Sequence, residues 1–538
     1  MLKRKLLYAL LALFLYWTGV QGKDYSIMDF GAKPDGVTLN THTIQYAIDY
    51  VHTAGGGKLI FDAGNYLTGT IYLKSNVTLH LAQGAVLLGS YNALDYKKDE
   101  YIQRTALLFA VRQDNIGITG EGTINGRGFI VANNLISYIQ RGLIDDPLHM
   151  DRPDEINRPH NIYFRECRNV RVEGVRMHDP ASWNQAYDQC RQVIIDNINV
   201  DCKSYWNNDG IDIVDCDSVR ISNSFFDAAD DGICFKSHEP SQICQNVVVD
   251  NCIIRSSASG LKFGTASKGG FRDFIIKNLT IYNTYRSAVT FATVDGGIIE
   301  NILVDSVRAV NVGNAFYLRI GDRWNSGRRP LMKNVTLSNF NVKLASSKPD
   351  AGYSYEGPVE HLPRNISPAS IIGLPEDRIQ GIILKNIDIE SPGGGNPFYA
   401  KCGVTAKELE GIPEMRTTYP EFSQFKELPA WGIFIRHADD IRLDNVKLKV
   451  HTFDYRPAIT GVVREYLMST SAPSCIGYEI DSNENIRPVF EKIENDYAKR
   501  FIFDVMQDKA MEFITDVVNI FKENIDELYY QKFYISLP

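Results

Sequence analysis

A chain of 538 residues with 65 acidic against 57 basic side chains has a formal charge of −8, which excludes nucleic acid as the expected partner because that calls for a basic face. An anionic ligand would need a local basic patch set into this acidic background. Nine cysteines scattered over such a length lack the close spacing of a disulfide-stapled module, and no Cys/His grouping has zinc-ligand spacing, so no cofactor or metal is expected.

The chain begins Met1-Leu2-Lys3-Arg4-Lys5, runs apolar over residues 6–17, then turns small and polar up to Gly22. This pattern predicts a secretory signal peptide over residues 1–22, since the apolar run is short of the ~20 residues that a span needs. The mature protein is therefore expected in the periplasm or outside the cell, without a membrane anchor. Asn40-Thr41 as caps, then Ile44, Ala47, Ile48 and Val51, then three glycines at 55–57, predict a helix. It is placed as a plug on the first coil of a stack of strands. Strands are predicted at 58–61, 70–73 and 77–81. The Gly-rich run 120–128 lacks the dinucleotide-binding spacing and is followed by no evident helical pattern, so it predicts tight bends. Residues 134–157 break the rhythm and predict a loop over the site.

From residue 170 a phrase of alternating apolar residues closed by a polar one recurs, starting at 170, 193, 219, 247, 274 and 302. Asn closes it at 197, 223, 251, 278, 339, 386 and 445. Alternation means strands with one buried face, and a short fixed period means a solenoid. With no helical segment between the strands, the expected fold is all-β: a parallel β-helix over residues 23–480. Asn at one place per coil suits a bend, because it tolerates the left-handed conformation and bonds to its neighbours above and below. After residue 345 the phrases move apart, which predicts excursions around 345–375 and 391–430. Residues 481–538 change character, and Phe490, Ile493, Tyr497 and Phe501 predict a tail of amphipathic helices of unassigned role. Nothing in the sequence bears on oligomeric state.

Chemistry is expected at Asp209-Gly210 and Asp230-Asp231-Gly232. Both phrases stand at the bend before a strand, and adjacent coils lie about 4.7–4.9 Å apart, so Asp209, Asp230 and Asp231 should share one wall. Crowded carboxylates raise one another's pKa. One can then give a proton to a glycosidic oxygen while an ionised partner activates water. Turn aspartates without a catalytic role are the plainer alternative.

The segments Asp29-Phe30-Gly31-Ala32, Gly120–Gly128, Asn208-Asp209 and Asp230-Asp231, with the 21-residue step from Asp209 to Asp230, resemble the polygalacturonase family of glycoside hydrolases over residues 25–460. The resemblance implies a right-handed single-stranded β-helix that cleaves pectic polysaccharide with inversion. It makes Asp230 the general acid, and has Asp209 and Asp231 position and deprotonate water. Asn208, Arg158 and Trp183 would border the site. Two departures stand out: Ser259-Gly260 replaces the family's His-Gly, and Thr290-Phe291-Ala292 its Arg-Ile-Lys. Lys262, facing out one coil away, is expected to supply the missing cation for a uronate carboxylate, with Lys236 and Arg319 on the same face. The departures make a rhamnogalacturonan-type member credible, and the late excursions favour exo-action. Two rivals stand beside this reading. One is a Ca²⁺-dependent polysaccharide lyase on the same fold, against which it counts that no Arg or Lys occupies the aspartate cluster; the other is a non-catalytic glycan-binding β-helix.

Overall fold

The computed structural model describes residues 23–325, 327–347, 367–400, 403 and 405–463, together with the short strands 466–470, 475–480 and 486–490. The expected signal peptide lies outside the described residues, as does the tail from 491 onwards. The chain is a right-handed parallel β-helix, with a 13-stranded sheet along one side and a 21-stranded sheet wrapped around the rest.

Successive coils pair in register. Ile211 sits under Ile233, Ile233 under Leu261, and Leu261 under Val289. Each inward position therefore becomes a column of similar side chains, as a period of two dictates. The column Phe235, Phe263, Phe291 stacks with ring centroids 5.0 and 4.8 Å apart. The outward column of the same strands runs Ala186, Asp212, Cys234, Lys262, Thr290, Tyr317, Ser370, Phe434. The seven described cysteines are buried free thiols, several of them capping carbonyl oxygens of the coil before: Cys190 donates to Phe164 and Cys216 to Tyr187.

The asparagine bends behave as the sequence suggests. Asn197, Asn223, Asn251, Asn278, Asn339, Asn386 and Asn445 all have φ between 52° and 56°. Asn251 Nδ2 donates to Asn223 Oδ1 at 2.8 Å, Asn386 to Asn339 at 2.9 Å and Asn445 to Asn386 at 2.8 Å, while Asn223 and Asn278 reach Asp196 and Asp250. The Asp-Gly bends have another cause. A Cβ at Gly210 would meet Gly232 O at 2.4 Å, so the close approach of stacked bends requires a residue without a side chain.

The plug is the helix Thr41–Thr53, with Ile44, Ala47, Ile48 and Val51 buried. Gln45 both donates to Tyr72 O and accepts from Tyr72 N, satisfying the edge of the first strand of the 13-stranded sheet. A second helix, Gly128–Gln140, corrects the expectation that none follows the glycine run. Its apolar face of Val131, Ala132, Leu135 and Ile139 is interrupted by Asn133 and Asn134, which blur its period. The loop expected at 134–157 thus begins only after residue 140.

Two covers lie on the outer face of the 13-stranded sheet. Ile102 packs on Phe109, Tyr163, Trp183 and Ala186 on the N-terminal side. Leu409, Phe422, Phe425 and Leu428 from the excursion 392–430 pack on Tyr317, Ile372 and Phe434 on the C-terminal side. At the far end, Cys475–Ile480 pairs antiparallel with Ala438–Val450, and Ile486–Phe490 adds to it. Val489 and Phe490, where helices are expected to begin, are therefore strand, because the last coil's exposed edge is itself a template for pairing.

Replacing Phe263 by Ala removes the middle ring of a fully buried stack and should cost about 3–5 kcal/mol. Denaturant unfolding followed by tryptophan fluorescence checks this; a loss below about 1 kcal/mol would mean that the column is not close-packed.

Candidate active site

Asp209, Asp230 and Asp231 occupy bends of adjacent coils, and one carboxylate oxygen from each lies within 4.8 Å of the others. Pairing explains this. Asp230 N donates to Asn208 O and Gly210 N to Asp231 O, so Asp231 stands directly over Asp209. Asp230 is turned by accepting at Oδ1 from Asp231 N, at 2.8 Å, and it is the most exposed of the three at 9%.

Two lysines enter this cluster, which corrects the expectation that none does. Lys236 donates to Asp209 Oδ2 at 3.0 Å and to Asp212 Oδ1, with its ammonium 4.3 Å from the centroid of the Trp183 ring. Lys262 donates to Asp231 Oδ2 at 2.8 Å and to Tyr419 Oη at 3.0 Å. Outward direction does not mean exposure here: Lys262 is 1% exposed, because Tyr419 from the excursion 392–430 closes over it. Arg286, two coils on from Asp230 and in phase with it, pairs with Glu421 at 3.1 Å.

Burial, then the Asp212 carboxylate, pushes Asp209 well above the ordinary carboxylate range against the pull of Lys236. Burial also raises Asp212, to about 6, with Lys236 opposing. For Asp231 burial is again the largest influence, but Lys262, Arg286 and Lys236 together outweigh it and hold the carboxyl below its usual range. Burial works against the charge on both lysines, yet the carboxylates around them keep both well above the usual ammonium value. Asp209 Oδ1 and Asp212 Oδ2 are buried without a hydrogen-bond partner among the described residues, as befits groups that keep a proton or await a ligand. The cluster is thus arranged to retain a proton beside a fixed anion.

Asp209, Asp230 and Asp231 have the spacing a divalent cation could use. Lysine ammoniums already neutralise Asp209 and Asp231, so the donor set fits a cation poorly. Three other expected site residues take structural places. The buried Asn208 accepts from Ser204 N and Tyr205 N and donates to Pro180 O and Ser182 O, shaping the bend before Asp209. Arg158 is buried against Ala181 O, Trp206 O and Asn207 Oδ1. Arg319 points outward but under the excursion, donating to Glu414 O, Met415 O and Gly373 O; its fork ties down the cover. Trp183 borders the cluster under Lys236. Asp212, whose outward direction the alternation predicts, and Arg286, Tyr419 and Glu421 are not among the expected site residues. The first two stand in phase with Lys262 and Asp230 and were visible in the repeat; the last two sit in an excursion that has no repeat to index them.

A family model described as glycosyl hydrolases family 28 matches residues 58–287, a span that includes all four aspartates. An exo-poly-α-D-galacturonosidase of Dickeya chrysanthemi is 24% identical over 442 residues, covering 72% of this chain and 65% of its own length. A probable polygalacturonase of Vitis vinifera is 24% identical over 432 residues, covering 73% and 79%. The solved structure of a family 28 exopolygalacturonase from Yersinia enterocolitica superposes with a TM-score of 0.59 at 18% identity, over 83% of this chain and 78% of that one. The acid cluster at the bends of a right-handed β-helix thus lies inside the span matched by the family model, and the chain is similar to the glycosyl hydrolases of family 28.

Proposed function

We propose that the protein hydrolyses α-glycosidic bonds of a galacturonate-containing pectic polysaccharide, with inversion and from a chain end. The observation that carries this reading is a proton-retaining carboxyl cluster beside the ionised Asp231. In the proposed step Asp230 gives its proton to the glycosidic oxygen as the C1–O bond breaks. A water oriented by Asp209 bonds to C1 from the opposite face, and its proton passes to Asp231. The donated proton belongs to a coupled set, so Asp209 and Asp212 shape its titration as well. Inversion rests on the family resemblance: the nearest oxygens lie closer than the usual gap of about 6.5–9.5 Å between inverting carboxyl groups.

The two covers support exo-action. Outward residues Phe109, Tyr163 and Ala186 are buried on one side of the cluster, and Tyr317 and Phe434 on the other, which leaves a short cleft where a long chain would need an open groove. The apolar leader supports export to where such polymers occur. A lyase reading needs a neutral base, whereas Lys236 and Lys262 are held protonated by their carboxylate partners.

Asp230→Asn should lower kcat by about 10²–10⁴-fold with an unchanged melting temperature; retention of full activity would assign the protein to glycan binding. With homogalacturonan and rhamnogalacturonan supplied separately, the expected products are short saccharides of inverted anomeric configuration by NMR, without the near-UV absorbance of an unsaturated sugar. Asp212→Asn removes the anion that, after burial, most raises Asp209. Asp209 then ionises at lower pH, and the alkaline loss of kcat should begin about one pH unit earlier; an unmoved limb would detach Asp209 from the catalytic proton.

A further inference from the structure

Cations surround the acid cluster, yet each has a carboxylate partner. Lys236 bridges Asp209 and Asp212, Lys262 is closed between Asp231 and Tyr419, and Arg286 is paired with Glu421. Five carboxyl groups thus face three cations, so acidic groups outnumber basic ones by two. The outward positions of the next strand are Thr290 and Ala292, uncharged and buried. Among the described residues of this cluster, no lysine or arginine lacks an acidic partner. A carboxylate brought here would meet net negative charge in a poorly solvated cleft. At about 5 Å and an effective dielectric near 20, one unit of like charge disfavours binding on the order of 10²-fold.

The same site offers something to an uncharged ring. Tyr419 is 42% exposed; its hydroxyl is fixed on Lys262, and its ring lies beside both Lys262 and Arg286. An aromatic ring with its polar end anchored presents an apolar face over which the C–H face of a pyranose can pack.

We infer that the sugar held against the acid cluster carries no free carboxylate, being an uncharged pyranose with its ring packed on Tyr419. This rests on the proposed hydrolase activity and narrows it: free galacturonate, where the substrate has it, lies away from the aspartates. Two sources share this chemistry, a neutral deoxyhexose such as rhamnose and a methyl-esterified uronate.

The test uses three oligogalacturonides that differ only in the unit at the non-reducing end: free galacturonate, its methyl ester, and rhamnose. The purified full-length protein should cleave at least one uncharged terminus with kcat/KM about tenfold or more above that of the free acid, and the faster of the two names the source. An equal or faster rate on the free acid overturns the inference and leaves the hydrolase reading standing. Failure to cleave any of the three overturns both. Glu421→Gln frees the charge of Arg286, and should move the ratio of rates toward the free acid by about tenfold. An unchanged ratio in a variant of normal melting temperature overturns the electrostatic cause. Tyr419→Ala should raise KM for the uncharged terminus more than it lowers kcat; the reverse would make the tyrosine a support for Lys262 alone.

Discussion

Parallel hydrogen bonding between coils places every residue over its counterpart one turn away. For apolar residues this is favourable throughout: Ile211, Ile233, Leu261 and Val289 form a column that shields its own inward surface from water. The same register offers no such relief to charge. Asp231 is set over Asp209 by the ladder that stacks phenylalanines a few residues on, and neither carboxylate can move away without breaking backbone pairing. The acid cluster is where like-over-like stacking is applied to groups that repel.

What makes this tolerable is interleaving. Lys236 reaches back to Asp209 and Asp212 in the coil before its own, and Lys262 reaches back to Asp231 in the same way. Each lysine comes from an outward position in phase with the acids, so the repeat that gathers the negative charge also supplies the positive. The balance is left incomplete. Burial pushes the Asp209 carboxyl up while two lysines and Arg286 hold Asp231 down, so two neighbouring carboxyl groups are shifted in opposite directions.

Most of this was legible in the sequence, for a definable reason. A residue inside the repeat has an address: Asn251 must sit in a bend, Ile213 must face the core, and Asp209 must neighbour Asp231. The helix Thr41–Thr53 was equally plain, with capping residues at one end and three glycines at the other. Whatever left the repeat lost its address. Arg319 was placed correctly on the outer face, yet periodicity says nothing of the excursion that buries it. Lys262 was likewise placed outward and read as free for ligand, since the residue that covers it lies 157 positions away. The helix Gly128–Gln140 escaped notice because Asn133 and Asn134 interrupt its apolar stripe. The strand Ile486–Phe490 was missed because pairing with the last coil, a tertiary effect, overrode a helical pattern.

The excursion 392–430 leaves the coil after Ser391 and rejoins it at Ile433, in register with Ala369 of the preceding turn. Its grip on the sheet comes from outward side chains of several coils, Lys262 on Tyr419, Arg286 on Glu421, and Arg319 and Arg436 on residues 412–415, together with a small satellite cluster of its own. The aspartates themselves are placed by backbone pairing between coils, while the flap reaches them through Lys262, which bonds both Asp231 and Tyr419. A change in the flap would thus be felt by the acid cluster as a change in charge balance, with the positions of the coils left to the stacked core.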